Sequence, residues 1–140
     1  MQDLIEFNVG GTHFTTTLKT ISVEKQSFLY TWYVEHIGAA HLLRDRDGKF
    51  FIDRDPMSFG VILNYLRLRV SNQLWEACLP KDPDQLAMVA QEADYFRIHM
   101  LRDQAIALLQ NYSEKGNSSY IKEVLSKSYS CPQGFPDEED

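Results

Sequence analysis

Residues 50–67 read FFIDRDPMSFGVILNYLR, and the hydrophobic period changes inside them. Phe50 and Ile52 alternate with Phe51 and Asp53, the two-residue repeat of a strand with two different faces. From Pro56 onward, Phe59, Ile62, Leu63, Leu66 and Val70 recur at the spacing of one helix face. Asp55 and Pro56 mark the changeover. An aspartate at the N-cap accepts an amide hydrogen that the helix leaves without a partner, and proline at the first helical position lacks the donor that would go unused there. Such a cap contributes about 1 kcal/mol. Asp53 and Asp55 have the spacing of a divalent-ion pair, but Arg54 between them competes with a hard cation for their oxygens. Asp53 therefore closes a strand and Asp55 opens a helix. Arg54 is placed where strand turns into helix and is suited to bidentate pairing with a carboxylate, in this chain or a neighbour. With no local partner evident, it is assigned to subunit recognition.

The flanking segments extend this strand–helix pattern. Upstream, Ile5, Phe7 and Val9 alternate with Glu6 and Asn8, and the β-branched run THFTTTL follows Gly10-Gly11. Two glycines between two such runs predict a tight hairpin, because both turn positions tolerate positive φ. Residues 22–37 predict a helix with Ser22 at its N-cap and Gly38 just past its end. Its stripe of Phe28, Leu29, Trp32 and Tyr33 is expected to be core. Residues 42–53 predict a second hairpin turning at Asp47-Gly48. Downstream, Trp75 and Leu79 are expected to anchor an irregular stretch. Asp82, Pro83 and Gln85 start a further helix whose face is Leu86, Val89, Ala90, Ala93 and Phe96. Another helix is expected from His99 to Tyr112. Residues 113–119 have the composition of a linker, 120–128 predict a short helix, and an acidic flexible tail follows. The domain is thus expected over 1–112, with 113–140 as appendage.

Composition narrows the function. The 140 residues are 44% hydrophobic and 24% charged, which is globular. The net charge of −6, four of it in the terminal DEED, is unsuited to nucleic acid. The longest apolar run, FGVILNYLRLRV, is short and carries two arginines, so no membrane insertion is expected. The start of the chain has no basic, signal-like segment, which points to a cytoplasmic and also nuclear protein. Cys78 and Cys131 stand alone and are expected to be free thiols. His13, His36, His41 and His99 form no ligand motif, and no serine lies in GxSxG, so neither metal, cofactor nor catalysis is expected.

The segments IEFNVGGTHFTTTLKTI (5–21), SFLYTW (27–32), DGKFFIDRDPMSFGVILNYLR (47–67) and EADYFRI (92–98), taken in this order, resemble the BTB/POZ domain of the potassium-channel tetramerisation type. The resemblance is closer to its soluble KCTD-like members than to the channels. It covers about residues 4–110. It implies an α+β fold, a small mixed sheet flanked by helices, and self-assembly into tetramers or pentamers. It further implies a substrate adaptor for a cullin-3 ubiquitin ligase, with a protein substrate still to be named. The alternative is a cullin-independent scaffold or regulator of a membrane receptor or channel. By the same resemblance Asp53, Arg54, Asp55, Asn64 and Arg67 are interface candidates. Asn8, Gly10, Gly11, Phe14 and Pro56 shape the motif, and Tyr33, His36 and Leu42 are candidate cullin contacts. Two departures stand out: LRVSNQLWEACLPKDPDQ is longer than the usual turn, and the His/Cys zinc cluster of the channels is missing after His99.

Overall fold

The computed structural model describes residues 3–36, 42–115 and 119–126. Four strands form one mixed sheet: β1 (Leu4–Val9), β2 (Thr12–Thr17), β3 (Leu43–Arg44) and β4 (Phe50–Ile52), in the order β2-β1-β4-β3. β1 pairs antiparallel with β2 and parallel with β4, and β3 pairs antiparallel with β4. The helices are α1 (Leu18–Ile21), α2 (Phe28–Tyr33), α3 (Pro56–Val70), α4 (Pro83–Tyr95), α5 (His99–Lys115) and α6 (Ser119–Ser126), with a 3₁₀ turn at Trp75–Cys78. This is an α+β domain.

The first hairpin turns where the glycines predict. Val9 faces Thr12 across Gly10 and Gly11, whose φ angles are 58° and 99°. Gly10 has a second reason to lack a side chain. A Cβ there would lie 2.7 Å from the Arg54 carbonyl oxygen, and its amide donates to the Ile52 carbonyl at 2.9 Å. The tip of one hairpin is thus seated on the strand-to-helix junction. The second hairpin turns through a longer loop than the Asp47-Gly48 pair implies. The Asp45 carboxylate accepts from the amides of Asp47 and Lys49, and Gly48 takes φ 82°.

α3 begins as its sequence dictates. The Asp55 carboxylate accepts from the Ser58 amide at 3.0 Å and the Ser58 hydroxyl at 2.7 Å. α4 repeats the device, with Asp82 accepting from the Gln85 amide at 2.9 Å. Phe59, Ile62, Leu63 and Leu66 are buried as expected, whereas Val70 is only half-buried. The period missed Tyr65, which is fully buried, donates to Glu24 and packs edge-on against Trp75 at 5.1 Å. Trp75 and Leu79 do pack on the core.

The helix expected over 22–37 is corrected to the shorter α2 at 28–33, with a separate one-turn helix, α1, ending just before residue 22. Thr17 caps α1, and Ser22 ends that helix by donating its hydroxyl to the Leu18 carbonyl. Ser27 starts α2 by accepting the Tyr30 amide at 3.1 Å. Serine serves either helix end, and the hydrophobic spacing did not choose between them. α5 runs three residues past Tyr112, into the expected linker. α6 falls within the expected short helix apart from its first residue, with Val124 and Leu125 against the core. Gly38, His41, Cys131 and the acidic tail lie outside the described residues.

Candidate interaction surface

Arg54 has a local partner after all. Its Nε and Nη2 donate to the two oxygens of Glu92 at 2.9 and 2.5 Å, the fork-to-fork geometry that guanidinium and carboxylate favour. Glu92, on α4, is 6% exposed, so its charge depends on this partner. Hydrogen bonding to Glu92 in turn strengthens the hold of Arg54 on its proton. The guanidinium lies 3.8 Å from the Tyr95 ring centroid. This corrects the expectation that Arg54 lacks a job within its own chain. Glu92 was not singled out in the sequence because the pair spans 38 positions.

The clamp forms one wall of a surface hollow of about 480 Å³. Phe28, Trp32, Tyr33, Tyr95, Leu43 and Asp53 are among the residues that line the rest. Phe28 stacks on Trp32 at 4.5 Å, and Arg97, in the left-handed region at φ 63°, covers Phe28 at 4.6 Å. The aromatic stripe of α2 therefore splits. Leu29 and Tyr33 are core, while Phe28 and Trp32 are half-buried walls of the hollow. Tyr33 is 5% exposed, packed edge-on against Phe7 and Phe50. Burial raises its phenol well above the ordinary range. What little surface it keeps faces the hollow. His36 is exposed, and Leu42 is half-buried against the core.

The other named residues form separate clusters. Asp53 is exposed at the rim, and Asp55 is occupied by its cap. Asn64 and Arg67 are exposed further along α3, about 14 and 18 Å from Asp55 at 1.5 Å per residue. Arg67 donates to the Asn64 side-chain oxygen at 3.1 Å and to the Thr15 carbonyl on the sheet edge at 3.3 Å. Asn8 joins the two hairpins: its amide donates to Asp45 at 2.8 Å, and its oxygen accepts from Gly11 at 2.9 Å. The Asn8 hydrogen bond holds the Asp45 carboxyl below the usual range. Phe14 packs on Phe59 at 5.2 Å.

Among the described residues no group of three or more His, Cys, Asp or Glu could hold a metal ion. No described helix is long and apolar enough to cross a membrane. What the surface offers is an aromatic–arginine hollow and an exposed polar pair at Asn64 and Arg67, the equipment of a binding module. Residues 5–105 match the family model of the BTB/POZ domain. The chain belongs to the BTB/POZ family. Within it, the chain is a KCTD-like domain of the potassium-channel tetramerisation type. An uncharacterized protein of Caenorhabditis elegans is 40% identical over 101 residues, which are 71% of this chain and 35% of that protein. BTB/POZ domain-containing protein KCTD21, in human and in mouse, is 35% identical over 101 residues, 72% of this chain and 35% of each relative. The BTB/POZ match thus spans only about a third of the curated relatives' length.

Proposed function

We propose that this BTB/POZ domain assembles into a closed ring of four or five copies and, as a ring, presents a protein substrate to a cullin-3 ubiquitin ligase. The observation that carries the partner-binding half is the aromatic hollow. Aromatic and arginine side chains dominate binding hot spots: the aromatics bury large area with little loss of side-chain freedom, and Arg54 is already held by Glu92. Phe28, Trp32 and Tyr95 line this hollow, and the Arg54–Glu92 pair holds its wall. Tyr33 within the hollow, with His36 and Leu42, completes the cullin surface in this reading.

Ring closure calls for two different patches on each subunit, one meeting the other in a head-to-tail contact. Acidic Asp53 at one end of α3 and basic Arg67 with Asn64 at the other supply such a pair. The ring reading is tested by reversing both charges. Asp53→Lys and Arg67→Asp each lower the mass seen by light scattering, and the double variant restores it. Masses unchanged in all three would remove these residues from the contact. The adaptor reading is tested by titrating the N-terminal region of cullin-3. Saturable binding weakened by Tyr95→Ala supports it. A ring that fails to bind at micromolar cullin leaves the cullin-independent scaffold as the function.

A further inference from the structure

A second depression lies on the other side of the α3 start, about 130 Å³ in volume, between the first turns of α3 and α4. Its walls are Met57, Val61, Pro80, Met88 and Val89, and almost all the surface it presents is apolar. At about 30 Å³ per water this is room for roughly four waters, the size of one aliphatic side chain. Met57 is 59% exposed and Met88 40%, so two flexible thioethers form its lips.

The sign of charge at the mouth is decided by the caps. Two helix N-termini converge here, which alone would favour an anion. Both are already capped by carboxylates, Asp55 on Ser58 and Asp82 on Gln85. Of the two charged residues in the described lining, Asp55 is engaged by its cap and Asp84 carries the charge left at the mouth. An acidic segment is therefore repelled and a basic one attracted.

We propose that this slot is a docking site for a basic peptide segment that inserts one aliphatic side chain between Met57 and Met88. The site is independent of the aromatic hollow and of the cullin reading. It gives the domain a place to hold a second protein while the hollow is occupied.

The test uses the full chain with carbon-13 methyl-labelled methionine. Two probes are titrated: an acetylated pentapeptide with leucine between paired arginines, and the same peptide with serine for leucine. Saturable shifts of the Met57 and Met88 methyls are expected with the leucine peptide. Affinity should fall about tenfold or more with serine, the effect of losing one buried aliphatic group. Asp84→Lys, at an exposed position that leaves the fold intact, should also weaken binding. Shifts that ignore the leucine-to-serine change would reduce the effect to non-specific charge and overturn the proposal. So would the absence of saturable shifts at millimolar peptide. Light scattering of Met88→Lys separates the remaining case: a drop in assembly mass would assign the slot to a second copy of the chain and also overturn the proposal.

Discussion

Two surfaces meet at the start of α3, and they are built on opposite principles. On one side Arg54 is locked to buried Glu92, and aromatic rings are fixed around it. On the other, Met57 and Met88 border an apolar slot with no comparable lock among the described residues. A charge brought toward the interior must be satisfied in one geometry, so the first surface is pre-organised. Thioethers adapt to what they meet, so the second is compliant. The contrast suits the first surface to a partner of fixed shape and the second to the basic segment proposed for it.

The largest blow to the rigid side should come from Gly10→Ala. Its Cβ would clash with the Arg54 carbonyl at positive φ, and about 2–4 kcal/mol should be lost in urea unfolding. Next comes Arg54→Met, which strands the Glu92 carboxylate. About 2–3 kcal/mol is expected because Arg54 is only partly buried, and adding Glu92→Leu should return most of it. A double mutant no more stable than Arg54→Met would mean that Glu92 needs no partner. Asp55→Ala should cost about 1 kcal/mol or somewhat more, since the buried Ser58 hydroxyl also loses its acceptor. The smallest effect is kinetic. Burial pushes the Cys78 thiol up to about 11, so alkylation should be slow at pH 8 and rise about tenfold per pH unit until near that value. Fast labelling at pH 8 would show an exposed thiolate.

The rigid side was half legible in the sequence. Asp55-Pro56, Asp82-Pro83 and Gly10-Gly11 were readable because caps and tight turns are fixed by neighbouring residues. Arg54–Glu92 was not, because nothing local says which distant carboxylate a guanidinium will meet. Ser22 and Ser27 show the same limit at short range. Both are plausible caps, and only the packing of Leu29 and Tyr33 against the sheet chooses the second as the start of α2. Tyr65 escaped the helix period because its hydroxyl finds Glu24 and Arg69, which lets a residue off the main stripe be buried without an orphaned donor. The slot at Met57 was invisible, since it exists only where two helix starts converge.

The most direct test of self-assembly is light scattering of the chain at micromolar concentration. A single species at four or five times 16.2 kDa is the expected result. A species at 16.2 kDa, unchanged as concentration rises, would contradict a self-assembling module.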